Sequence, residues 1–146
     1  MIGQRSVAPG ILSKGSFTPW EVVASVLDGS GLTGAVVSFV GVVKTPGKDG
    51  KSVKKVIIEA YREAADPVLK RICDELVEKY SLNRAVICHY TGEFMVGEPL
   101  VVVTIASKSR YEAYRALEEA VERYKKEPPI WKKEVYEDGS SAWIAD

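Results

Sequence analysis

The chain has 146 residues, with 20 Lys or Arg against 20 Asp or Glu and one His, so its formal net charge is zero. That length suits one domain with a single core, and the even charge balance argues against a general nucleic-acid binder, which carries a basic excess. No apolar run is long enough to span a membrane, and Met1-Ile2-Gly3-Gln4-Arg5 lacks the apolar core of a secretion signal, so a cytoplasmic protein is expected.

Ala8-Pro9-Gly10-Ile11-Leu12 is expected to form a short edge strand. Thr18-Pro19-Trp20-Glu21 reads as a helix start, with Thr as N-cap, Pro at the first helical position and Glu at the third. The helix runs through Val22, Val23, Val26 and Leu27, and the glycines at 29 and 31 end it. Residues 34–44 are a valine-rich apolar run, expected as a strand buried on both faces. A polar loop at 45–51 leads to a second strand over 53–61, and the two strands read as a long hairpin.

Asp66-Pro67 reads as the opening of the next helix. Its apolar stripe is Leu69, Ile72, Cys73, Leu76, Val77 and Tyr80. Residues 84–90 are a strand, 91–99 a connection with two glycines, and 100–106 a fully apolar strand. Ser109-Arg110-Tyr111-Glu112 has the form of a capping box with Ser109 as N-cap, and the helix continues to Tyr124. Two short strands, 131–136 and 141–144, close the chain around Asp138-Gly139, a hairpin turn. Two main helices on a mostly antiparallel sheet, with a short N-terminal helix, imply one α+β domain over residues 1–146.

The chemistry concentrates late in the chain. Arg123, Lys125, Lys126, Lys132 and Lys133 lie within eleven residues, with Pro128, Pro129 and Trp131 between the lysine pairs. Proline removes a donor and disfavours helix at the residue before it, so Lys125 falls in a last helical turn. Lys132 then follows a stiff turn that restarts the chain as a strand. The two ammonium groups could meet at one anion, or they could serve only a helix C-terminus and a soluble surface. Cys73 and Cys88 sit on the expected helix stripe and inside a strand, which suits small core residues. With His89 as the one histidine, no metal site can be assembled from the sequence.

Lys125-x5-Trp131-Lys132-Lys133-Glu134, with Pro129 two residues before the Trp, resembles the signature of the MoaE family, the catalytic large subunit of molybdopterin synthase. Three further stretches agree in order. They are Gly34–Lys44 (GAVVSFVGVVK), His89-Tyr90-Thr91-Gly92-Glu93 followed by Gly97-Glu98, and Ser107-Lys108-Ser109-Arg110. The resemblance runs from about Thr18 to Trp143. It implies an α/β-hammerhead fold and a homodimer. It also implies a small ubiquitin-like (MoaD-like) carrier subunit ending in Gly-Gly, whose C-terminal thiocarboxylate delivers sulfur. Two such transfers convert cyclic pyranopterin monophosphate into the molybdopterin dithiolene. The pterin is a substrate, and no resident cofactor or metal is expected.

Carried onto this chain, the resemblance makes Lys125 the proton-transferring or nucleophilic group and Lys132 the second family lysine, an anion ligand. Neighbouring cations and cover by the carrier tail would favour a neutral amine at Lys125. Arg110 at a helix start opposes the helix dipole, which hints at a phosphate or substrate ligand. Ser109 stands where the family usually has His, and Lys44 where it usually has Arg; Lys44 keeps the charge and loses the bidentate fork. Lys126 joins the substrate-binding set. Phe39, Gly41, Trp131 and Pro129 are expected to shape the site, Gly41 by close backbone approach and Trp131 as a packing anchor. His89 is read as a satisfied core or interface residue. Some family members draw a basic residue from beyond the last Trp; the three residues after Trp143 hold none. Ser109 and Lys44 also leave room for a second reading, a non-catalytic module that captures a ubiquitin-like tail. A third reading is a regulatory domain that binds a pterin or nucleotide through the lysines.

Overall fold

The computed structural model describes residues 6–145; the opening pentapeptide and Asp146 read above lie outside them. In chain order the elements are β1 (Gly10–Ser13), α1 (Pro19–Ala24), β2 (Ala35–Val42), β3 (Val53–Ala60), α2 (Arg62–Tyr80), β4 (Arg84–Met95), β5 (Pro99–Ser107), α3 (Arg110–Tyr124), β6 (Ile130–Tyr136) and β7 (Ser141–Ile144). The seven strands form one sheet in the order β2-β5-β4-β3-β6-β7, with β1 beside β4. Every pairing is antiparallel except β1 with β4. The expected α+β class holds. Among the described residues no helix is long and apolar enough to cross a membrane.

The core lies between the sheet and helices α2 and α3. Leu69, Ile72, Cys73 and Leu76 of α2, and Ala113, Ala116 and Ala120 of α3, pack in one core with the β4 and β5 residues on that face of the sheet, such as Ile87, Val103 and Ile105, all buried. Alanines on α3 let that helix approach the sheet closely. Burial pushes the Cys73 and Cys88 thiols up to about 12, so both stay protonated at neutral pH and act as small core residues.

Local rules explain several boundaries. Thr18 caps α1 in a full capping box, with its hydroxyl accepting from the Glu21 amide and the Glu21 carboxylate accepting from the Thr18 amide. Thr18→Ala should lower stability by about 1 kcal/mol, read as a lower urea midpoint with an unchanged slope. Ser109 caps α3 through the Tyr111 amide. The closing hairpin forms around Gly139, whose φ of 86° is glycine's region.

Helix α1 ends at Ala24, short of the expected Val26 and Leu27, and four further expectations change. First, β2 and β3 are not a hairpin, because β5 and β4 lie between them. Second, β2 is an edge strand, so Val40 and Val42 stay about half exposed, at 40% and 50%, rather than buried on both faces. Third, α2 starts at Arg62, ahead of Pro67. Asp66 does not cap it; its carboxylate accepts from the Ile11 amide at 2.7 Å and ties β1 to the helix. Fourth, residues 91–95 are not a connection but the second half of β4. This strand pairs with β5 over residues 84–89 and with β3 over 92–95. Gly92, at φ 132°, lies at the change of partner.

Candidate active site

The change of partner along β4 leaves an open cavity of about 650 Å³ between the two halves of the sheet and the end of α3. One row of its lining runs across β2, β5 and β4 as Gly41, Val101 and His89, which are direct register partners. A second row runs across β3, β6 and β7 as Ile58, Lys132 and Ile144. The third contribution is the last turn of α3, with Tyr124, Lys125 and Lys126, followed by Pro128.

Strand alternation sorts the lysine pair. Lys132 shares a face with Ile58 and Ile144 and lines the cavity. Lys133 faces the other way, with its ammonium 5.6 Å from the Trp143 ring centroid. Lys125 is the C-cap of α3, so its side chain leaves the helix where the prolines stop it. Lys44 enters from the chain just after β2. Four lysines, Lys44, Lys125, Lys126 and Lys132, therefore line one cavity, the Lys126 ammonium lying 3.9 Å from Glu122, and no Asp or Glu among the described residues lines it.

Arg123 does not join them. Its guanidinium turns to the α2–α3 surface and binds Glu127 at 2.6 Å, Glu75 at 2.5 Å and Glu119 at 3.5 Å. Its charge is spent there, so it cannot raise the potential around Lys125 as the sequence suggested. Arg110 and Ser109 are also outside the cavity. They start α3, and Lys125 ends it, roughly 22 Å away at 1.5 Å per residue. Arg110 instead stacks on Tyr111, 4.4 Å from its ring centroid.

The expected shaping residues divide. Phe39, Gly41 and Trp131 line the cavity. A Cβ on Gly41 would sit 2.7 Å from Val101 Cγ1 and 3.3 Å from the Phe39 ring, which is the close approach expected of it. Trp131 is 49% exposed at the rim, so it is not a buried anchor. Pro128 is buried and lines the cavity. Pro129 lies behind it, its carbonyl accepting from the Tyr61 amide at 3.1 Å.

Two residues matter more than the sequence showed. His89 was read as a core or interface residue, and it is buried, yet it lines the cavity. Burial pushes its imidazole down to about 4, and Lys132 adds to this, against the hydrogen bond to the Tyr90 carbonyl. Glu134 is 5% exposed and shares its strand face with Lys132. It accepts from the Lys48 amide at 2.9 Å and from the Tyr136 hydroxyl at 2.7 Å. Burial raises its pKa, but these two hydrogen bonds and the charges of Lys132 and Lys44 outweigh burial and leave it lowered. A Cβ on Gly47 would lie 2.5 Å from that carboxylate, so the loop after Lys44 closes onto Glu134. The only advance signal was the i, i+2 spacing of Lys132 and Glu134 in an expected strand.

The MoaE protein family model matches residues 12–127. The chain belongs to the MoaE family. The catalytic subunit of molybdopterin synthase from Bacillus subtilis is 41% identical over 113 residues, covering 77% of this chain and 71% of the relative. The Pyrococcus abyssi subunit of the same name is 38% identical over 124 residues, covering 85% and 81%. The crystal structure of molybdopterin synthase from Staphylococcus aureus superposes with a TM-score of 0.84 at 32% identity, covering 94% of this chain and 96% of that one. The MoaE match covers all three helices and β2–β5, and it stops at Glu127. The cavity draws Lys44, Lys125 and Lys126 from inside the matched span and Lys132 from beyond it.

Proposed function

We propose that this MoaE chain catalyses sulfur transfer from the C-terminal thiocarboxylate of a small ubiquitin-like carrier to cyclic pyranopterin monophosphate, forming the molybdopterin dithiolene. The observation that carries this is the cavity lined by four lysines and, among the described residues, no carboxylate. The reaction needs a site that holds a phosphate, polarises an acyl group and moves protons. Ammonium groups suit the first two tasks. Lys125, at the helix end, takes the third as the proton-transferring group. Lys132, Lys44 and Lys126 hold the anions. Phe39, Gly41 and Trp131 shape the walls, and Pro129 holds the turn behind them. In this reading the protein keeps no resident metal or cofactor and works in the cytoplasm.

Arg110 and Ser109 belong to the substrate-binding set only if a second copy of the chain brings the start of its own α3 to this cavity. The role of these two residues therefore requires the proposed homodimer. Val40 and Val42 on the open edge of β2, with Tyr111 and Tyr114 on α3, supply exposed apolar surface for such a contact.

Lys132→Ala should raise KM for the pterin roughly tenfold or more with kcat little changed, since a charge-assisted contact to a bound anion is lost. A loss confined to kcat would put Lys132 in the chemical step. The function itself is tested by a single-turnover assay with thiocarboxylated carrier and cyclic pyranopterin monophosphate, read by mass. Dithiolene product is the expected result. Carrier binding without product would instead favour the capture module, the reading that Ser109 and Lys44 support.

A further inference from the structure

The polar lining of the cavity is dominated by donors. Lys44, Lys125, Lys126 and Lys132 carry ammonium groups, which donate hydrogen bonds and accept none. His89 differs. Its Nδ1 lies 3.0 Å from the Tyr90 carbonyl oxygen. A carbonyl accepts only, so Nδ1 carries the proton and Nε2 keeps a lone pair. The ring is fixed on two sides, by that carbonyl and by Tyr124, whose ring centroid is 5.7 Å away. Its register partners on β5 and β1 are Val101 and Ile11, so no charged side chain competes for it from those strands.

The cavity thus has one imidazole acceptor among ammonium donors. Phosphate and thiocarboxylate present acceptors, and the lysines match them. Lysines alone do not distinguish one such anion from another. A pterin adds N–H donors on its ring and amino group, and the lysines cannot pair with those. A buried acceptor can, and it disfavours a ligand without a donor there, because the acceptor would be left unpaired.

We propose that His89 is a specificity-determining residue whose Nε2 accepts a hydrogen bond from an N–H or O–H group of the pterin substrate. This rests on the function proposed above and adds to it the element that reads the heterocycle rather than the phosphate. The neutral imidazole suits the role, because its acceptor persists across the physiological pH range.

The test is calorimetric titration of wild type, His89→Gln and His89→Phe with cyclic pyranopterin monophosphate and, separately, with inorganic phosphate. Gln restores an acceptor near the Nε2 position, and Phe fills the space without one. The expected result is roughly tenfold weaker pterin binding by His89→Phe, near-wild-type binding by His89→Gln, and equal phosphate binding by all three. Undiminished pterin binding by His89→Phe overturns the proposal, as does equal weakening of both variants or a parallel loss of phosphate binding. If wild type binds phosphate and no pterin, the proposed function fails as well, and that failure is recognisable because it needs no variant. Should His89→Phe not fold, nitrogen NMR of the wild-type imidazole decides: Nε2 should be unprotonated and should shift when the pterin binds, not when phosphate does. An Nε2 that ignores the pterin overturns the proposal.

Discussion

Lys125→Ala should abolish turnover, with kcat reduced by about a thousandfold and the thermal midpoint unchanged. Lys125 is exposed, and it caps α3 after the helix has made its buried contacts through Ala113, Ala116, Ala120 and Tyr124. Alanine is also a good helix former, so truncation removes neither packing nor propensity. The loss falls on proton transfer, where one positioned group typically contributes a hundredfold to ten-thousandfold. Carrier binding should survive, because Lys44, Lys126 and Lys132 remain in the cavity. Single-turnover kinetics with saturating carrier separate these effects. Turnover at the wild-type rate would remove Lys125 from the chemistry.

Glu134→Ala should cost about 2–3 kcal/mol of stability and weaken anion binding as well. The carboxylate is buried and holds the Lys48 amide and the Tyr136 hydroxyl, two donors that truncation leaves without their partner. The same loop begins at Lys44, so its release also frees a cavity lysine. A urea melt and a phosphate titration read the two effects. The pH dependence has a definite sign. The native pKa of Glu134 lies below the ordinary 4.5, so the unfolded chain takes up this proton first as pH falls. Its contribution is complete above the ordinary value and disappears as pH falls through the lowered one. Glu134→Ala should therefore flatten the acid limb of the stability profile. An acid limb identical to wild type would mean that the carboxylate does not hold the loop.

The parts of this molecule that were readable in the sequence are those governed by near neighbours. Prolines 128 and 129 stop a helix wherever they occur, which placed Lys125 at its end. Thr18 and Ser109 announce their helices by local hydrogen bonding. The errors share another origin. Pairing β2 with β3 assumed that neighbours in sequence are neighbours in the sheet, yet β5 and β4 come later in the chain and pack between them. The valines of β2 look like those of a central strand, and only the sheet order reveals an open edge. Gly92 read as a loop because a glycine that ends a strand and one that bends it look alike. Glu134 and the Lys48 amide are 86 residues apart, and no local pattern announces that contact. Motif matching singled out Arg110 and gave no sign that its place at the start of α3 is at the far end of that helix from the cavity.

The gathering of lysines has a consequence for encounter. The molecule carries 20 cationic Lys and Arg residues and 20 Asp and Glu. Setting aside the four cavity lysines leaves 16 cations against 20 acids, an excess of four negative charges over the rest of the chain. A chain with zero net charge thus still gathers cationic side chains at one cavity. A negatively charged visitor gains little from attraction at long range, where the opposite charges cancel. Within about a Debye length, roughly 8 Å at physiological salt, it feels a torque that turns its anionic end toward the cavity and its other faces away. Electrostatics here sets the angle of approach more than its speed.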